Sequence, residues 1–443
     1  MIRVVRAEPP FAELAAIMHA AATTDPELER AVREIVDDVG VRGDDALLEY
    51  TRRFDLLDVQ KVSELAISKE ELSAAAESLD DRLMATMQLA ADQIRTFHER
   101  QVDRGFLELC ADGTLLGQRV LPLATVGVYV PGGRATYPSS VLMNVIPARV
   151  AGVSRVIMVT PAPGGVVNPA VLAAAHIAGV TEVYRLGGAQ AVAALAHGTE
   201  TVPRVDKIVG PGNRWVAEAK RQLYGRVDID MVAGPSEILV IADEFASARH
   251  VAADLIGQAE HDPDAISWLV TTSEALAEAV PAEIELLLAR NPRREIARTS
   301  LANNGLILIV PSLAAAAEAA NMRAPEHLEL LVRDPMTLAG SIRNAGAIFM
   351  GTFSPEPVGD YFAGPNHVLP TGGTARWASP LGVYDFIKRT SLIGYSRERL
   401  EQNADDVIRF AEAEGLHGHA EAIRVRLENA PEHRSQSEDG TVP

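Results

Sequence analysis

The 443-residue chain holds one cysteine, Cys110. An intrachain disulfide and a thiolate zinc cage are therefore excluded, and nothing calls for an oxidising compartment. Aromatic residues are 5 % of the chain, and 41 basic residues face 60 acidic ones, for a formal net charge of −19. That balance argues against nucleic acid or an anionic membrane as a partner. No apolar run reaches the length of a membrane span. Residues 1–10 carry charges and prolines where an export signal needs an apolar core, so a cytoplasmic location is expected. What is present is 47 % hydrophobic and 23 % charged residue, the balance of a globular enzyme of two or three domains.

Residues 1–25 read as an N-terminal arm with a short helix over 11–22. Asp25-Pro26-Glu27 then reads as a helix start, an acid at the cap and proline in the first turn. Helices are expected to Asp38, over 44–53 and over most of 72–102. Residues 106–109 and 114–116 flank a Gly-containing turn as a hairpin. From about Leu123 strands and helices alternate, and they do so again from Glu237 to Met350, which predicts parallel sheets with helices on their faces. Gly132-Gly133, Gly187-Gly188 and Gly210-Pro211-Gly212-Asn213 follow strands, at the carboxyl ends where ligands of such folds bind. They do not spell the GxGxxG fingerprint, and no ribose-binding acid stands at the usual distance. Residues 351–382 are expected to be a functional loop, 383–427 a mainly helical unit, and 431–443 a disordered tail.

Glu326 and His327 stand side by side behind Pro325, which pushes the preceding residue towards extended geometry. A loop-to-strand junction is expected there, carrying an acid and a base able to exchange protons near neutral pH. Gln258 and His261, spaced i, i+3 at the end of a helix, share a face and can reach one ion; a histidine at a helix C-terminus also suits the dipole. Asp360 lies in a Gly/Pro loop with His367, where an aspartate is also an ordinary turn former. His417 and His419 open a late helix. Two imidazoles, a carboxylate and an amide would suit zinc with positions open for substrate. Ser236 falls at the seam between the two α/β blocks, where clefts form. Cys110 has no basic neighbour in sequence and is a poor thiolate nucleophile.

Residues 126–133, 230–237, 258–261, 324–327 and 359–370 occur in the order found in histidinol dehydrogenases, and the chain resembles that family from its N-terminal helices to Ala420. The resemblance implies oxidation of L-histidinol through L-histidinal to L-histidine, with two NAD⁺ and one zinc ion per subunit. It implies Gln258, His261, Asp360 and His419 as zinc ligands, with His417 an alternative to His419. It implies Ser236, His327 and Glu414 as substrate contacts beside those ligands, and Tyr129, Gln190 and Asn213 as NAD⁺ contacts. Glu326 would activate water and His327 would act as general base. The implied fold has two incomplete Rossmann-like domains, residues 26–122 with 235–380 and residues 123–234, followed by a small helical domain over 381–430. The implied assembly is a homodimer in which the C-terminal segment reaches the partner's active site. A zinc hydrolase is the competing reading, with the same ligands activating water and no nicotinamide. A non-catalytic two-lobed binding protein, with Glu326 and His327 idle, is the third.

Overall fold

The computed structural model describes residues 2–12, 25–132 and 137–428. Most of the helix expected over 11–22, and the 431–443 tail, lie outside them. The chain divides into two compact units, residues 1–102 with 122–387, and residues 103–121 with 388–443.

The first unit holds two six-stranded sheets. One runs in the order Arg3–Arg6, Leu306–Ile309, Ile266–Thr271, Glu237–Ala242, His327–Leu331, Ala347–Met350, and every pairing is parallel. All six residues of Glu237–Ala242 are buried, which is why that segment reads as a continuous apolar run instead of alternating. Leu239 and Ile241 pack towards helix Leu313–Arg323, while Ile238, Val240 and Ala242 pack towards Ala248–Ala259 and Glu274–Leu288. The N-terminal arm thus begins as an edge strand. Helix Arg294–Asn304 was not legible, because its polar composition masks a short buried stripe of Ala297, Ser300 and Leu301.

The second sheet runs Ala66–Ile67, Glu182–Tyr184, Arg155–Val159, Thr125–Tyr129, Lys207–Val209, Asp228–Ile229, parallel except for Ala66–Ile67. Helix Pro26–Arg42, capped by Asp25 as expected, packs on one face with Asp44–Tyr50, Gly188–His197 and Arg214–Leu223. Lys69–Glu77, Asp81–Glu99, Pro138–Ala151 and Pro169–Ala178 cover the other. Residues 26–99, expected beside residues 235–380, are therefore packed chiefly on the sheet of residues 125–229. Their apolar faces show that they are buried but not against which sheet.

In the second unit, Phe106–Leu109 and Leu115–Pro122 form the expected hairpin. Ile387–Gly394 adds a third strand where helix was expected, and helices Arg397–Ala413 and His417–Leu427 follow.

His327 opens its strand, opposite Ile238. Glu326 and His327 thus stand at the amino edge of the first sheet, whereas the glycine turns lie at the carboxyl edge of the second. Residues 230–236 carry the chain from that carboxyl edge to the amino edge at Glu237.

Candidate active site

Helix Leu313–Arg323 ends at Ala324, which takes a left-handed φ of 52°. That conformation costs a non-glycine residue roughly 1–2 kcal/mol, and such strain concentrates at functional sites. Pro325 follows, then Glu326 and His327, both buried.

One residue orients both groups. The Glu237 backbone N–H donates to Glu326 Oε2 at 2.9 Å, and the Glu237 carbonyl lies 3.1 Å from His327 Nδ1. That carbonyl can only accept, so Nδ1 carries a proton. Nε2 has no hydrogen-bond partner and stands 3.8 Å from Asp360 Oδ1. The Glu237 side chain is buried in an ion pair with Arg323 and accepts from Gly372 N at 2.9 Å. Thr371 Oγ1 accepts from Gly234 N at 2.6 Å. The 234–237 segment, with half-buried Ser236 inside it, is thus held at both ends by the 371–372 turn.

The electrostatics follow from burial. Glu326 is pushed up to about 8 by its burial, despite His327 and the Glu237 N–H. Burial alone would depress the His327 imidazole, but the carboxylates of Glu356, Glu326 and Asp360 outweigh it and hold the ring well above 6.5. Asp360 is held low, against its burial, by His327 and the neighbouring imidazoles. Crowding of the ring by its neighbours, although His261 keeps an exposed edge, holds its imidazole below 6.5 by partial desolvation.

Ligand-type atoms of His261, Glu356 and Asp360 all lie within 4.8 Å of one another. The Gln258 amide faces Glu356, and turned with its NH₂ towards that carboxyl it donates to both Glu356 oxygens, at 2.7 and 2.8 Å. An imidazole and two carboxylates converging beside an amide is a donor set that suits a borderline divalent ion such as zinc. The structure therefore gathers Gln258, His261, Asp360, Glu326 and His327. Asp360 lies in the short helix Glu356–Tyr361 and not in a loop. His367 Nδ1 lies 3.1 Å from the Asp360 carbonyl and so braces that helix end.

Glu356 was missed. It is an acid four residues before Asp360, the spacing that shares a helix face, but flanking Pro355 and Pro357 made the segment read as loop. Proline is tolerated in a first helical turn. The Glu356 N–H donates to buried Glu329 Oε1 at 2.7 Å, and burial pushes the Glu356 carboxyl up to about 7.

Tyr129, Gln190 and Asn213 lie at the carboxyl edge of the second sheet. The Tyr129 hydroxyl accepts from Gly188 N at 3.1 Å. Gln190 is buried in the first turn of Gly188–His197. Asn213 Oδ1 caps Arg214–Leu223, taking Trp215 N at 3.0 Å and Val216 N at 3.2 Å, which leaves its NH₂ as the group presented outward. Glu414, His417 and His419 belong to the second unit and are exposed there, at the end of one helix and the start of the next. Cys110 is in the hairpin turn of that unit.

Comparison with known proteins points to one family. The sequence profile of histidinol dehydrogenase matches residues 18–427. The histidinol dehydrogenase of Geobacter sulfurreducens is 51 % identical over 416 residues, covering 94 % of this chain and 97 % of that protein. That of Bacillus subtilis is 52 % identical over 402 residues, covering 90 % and 93 %. The crystal structure of histidinol dehydrogenase from Elizabethkingia anophelis superposes with a TM-score of 0.91 at 35 % identity, covering 96 % of this chain and 98 % of that one. With a family profile spanning most of its length and relatives above 50 % identity, the chain belongs to the histidinol dehydrogenase family, oxidoreductases acting on histidinol.

Proposed function

We propose that the chain oxidises L-histidinol to L-histidine through L-histidinal with two NAD⁺ and one zinc ion per subunit. The observation that carries this reading is the holding of Glu326 and His327 by the one residue Glu237, beside the Gln258, His261 and Asp360 cluster. Zinc would be held by Gln258, His261 and Asp360, with His419 of the partner subunit as the fourth ligand in a homodimer. NAD⁺ would be held by Tyr129, Gln190 and Asn213. When bound, the metal supplies a positive charge that grips the imidazole and amine of histidinol, and NAD⁺ supplies the hydride acceptor for each oxidation.

The residues of the chain do the remaining work. Ser236 and the partner's Glu414 contact the substrate. In its neutral form, with Nδ1–H donated to the Glu237 carbonyl, His327 takes the hydroxyl proton of the alcohol at Nε2 in the first oxidation; the positive charge of a bound metal beside it would favour that neutral form over the imidazolium. Glu326 then takes a proton from the water that adds to the aldehyde. With Oε2 occupied by the Glu237 N–H, its Oε1 is free to face that water. A carboxyl pushed up to about 8 is well matched to this task near neutral pH. His327 finally takes the hydroxyl proton of the hydrate in the second oxidation. Fixing these groups on one strand start is positioning work, which can contribute up to ~7–11 kcal/mol when the geometry is right. No thiol is needed, in keeping with the place of Cys110.

The deciding experiment adds histidinol and NAD⁺ to metal-assayed protein and follows absorbance at the NADH wavelength. Two NADH per histidinol is expected. Histidinol consumed by none, or NADH formed equally well after complete metal removal, would overturn the reading. A hydrolase would produce no NADH.

A further inference from the structure

Two fully buried ion pairs flank the segment that joins the two sheets. Arg323–Glu237 is at one end, beside the acid–base pair. Lys220–Asp230 is at the other, with side-chain exposures of 2 % and 1 %. The remaining hydrogen-bonding capacity of this second pair goes largely to a single residue, Gly210. Lys220 Nζ donates to the Gly210 carbonyl at 3.0 Å, and Asp230 Oδ2 accepts from the Gly210 N–H at 2.8 Å. Asp230 Oδ1 also takes Met231 N at 2.6 Å. Gly210 has φ +108°, and a Cβ there would collide with the Tyr129 carbonyl oxygen. Both peptide planes of the one residue that turns the chain over Tyr129 are therefore gripped by charged groups.

An ion pair buried this deeply is a poor source of stability, since apolar residues of similar volume would often do as well or better. What it supplies here is direction. Asp230 is also the first residue of the linker to Ser236 and Glu237, so the same carboxylate fixes the Gly210 turn and the start of the path to the catalytic strand. We infer that Lys220 and Asp230 are positioning residues that lock the Gly210–Asn213 turn, as the dinucleotide cradle, to the segment carrying Ser236 and Glu237. This rests on the proposed reading of Tyr129, Gln190 and Asn213 as the NAD⁺ site. The pair touches neither substrate nor cofactor.

The test measures steady-state kinetics and NAD⁺ affinity of the metal-loaded protein carrying Lys220→Met/Asp230→Asn, with Asn213→Ala measured alongside. The expected result is a KM for NAD⁺ raised about tenfold in both half-reactions, as for a cradle displaced by a fraction of an ångström. The KM for histidinol and the metal content should stay within twofold. A KM for NAD⁺ that stays within twofold, or equal rises for both substrates, would overturn the inference, the latter marking a general loss of structure. Lys220→Gln/Asp230→Asn, which keeps a polar pair at the same place, is the second variant should the first not fold, and the same selective loss is expected. If Asn213→Ala also leaves the KM for NAD⁺ unchanged, the cofactor site itself is misplaced; if Asn213→Ala raises it and the pair variants do not, only the positioning role fails.

Discussion

Glu326 and His327 are held by the two backbone groups of one residue, Glu237 N–H and Glu237 C=O, so their roles can be separated by substitution. Glu326→Gln keeps an oxygen for the Glu237 N–H but cannot take a proton from water. Aldehyde oxidation should fall by about 10²–10⁴-fold, the range for loss of a general base, with alcohol oxidation much less affected. Equal losses, measured with histidinol and with histidinal as separate substrates, would count against it as the water base. His327→Asn should slow both half-reactions and leave metal content intact. A different buried acid gives a pH test away from the metal cluster. Asp55 lies beside Gly187, its Oδ2 buried without a partner, and burial pushes it up to about 6 from 3.8. A carboxyl raised on folding stabilises fully at low pH and loses that contribution as pH rises through about 6. Asp55→Asn should therefore stabilise the protein by up to about 3 kcal/mol at pH 8 and by little at pH 4. Denaturant midpoints at the two pH values check this, and a gain independent of pH would refute the cause. Sequence made Glu326 and His327 visible because adjacency and proline are local signals. Glu237 was invisible as a site residue because its partners Arg323, Glu326 and Gly372 lie 86 or more residues away in sequence.

The short helix Glu356–Tyr361 shows what is lost when an element is misread. With the segment taken as loop, Asp360 stood alone and Glu356 had no face to share with it. As a helix, the segment brings both carboxyl groups to His261, and a Glu329 carboxyl oxygen accepts from its first N–H, satisfying one of the unpaired donors of a helix start. By contrast the Gln258/His261 spacing was legible, because helix Ala248–Ala259 is amphipathic and ends where an acid and a turn follow. Glu356→Gln should weaken metal binding about 10–100-fold, the usual cost of altering a close supporting group. Competition against a chelator of known affinity measures this, with the fold monitored by circular dichroism. Unchanged affinity would mean that Glu356 only repels its neighbours in the metal-free cluster and has no part in holding the ion.

Across the whole molecule, the sequence carried the alternation of strand and helix, and with it the class of fold, because each strand buried on both faces must be apolar along its length. It did not carry the assignment of residues 26–99 to the second sheet, nor the fact that the acid–base pair projects from an amino edge while the glycine turns project from a carboxyl edge. Both depend on which apolar face meets which, and periodicity does not encode that. The arrangement makes the 230–237 segment the covalent bridge between the proposed cofactor edge and the proposed metal site on the first sheet. Among the described residues, that cluster crowds Glu326, Glu356, Asp360 and Glu329 around one strand start with His327 as the near cation. Burial and mutual repulsion raise Glu326 to about 8 and Glu356 to about 7, so these carboxyls hold protons to higher pH, and a divalent ion bound only by the native state would replace those protons and stabilise the fold. Removing the metal should therefore lower Tm, and zinc restored at about 1,000 times its Kd should return about 4 kcal/mol of stability. Magnesium, which prefers an all-oxygen, largely hydrated shell, should not substitute at the same concentration. Differential scanning calorimetry of chelated, zinc-reloaded and magnesium-supplemented protein, with metal content assayed in each, makes the comparison. A Tm indifferent to zinc in fully stripped protein would mean that the carboxylates are neutralised by protons alone.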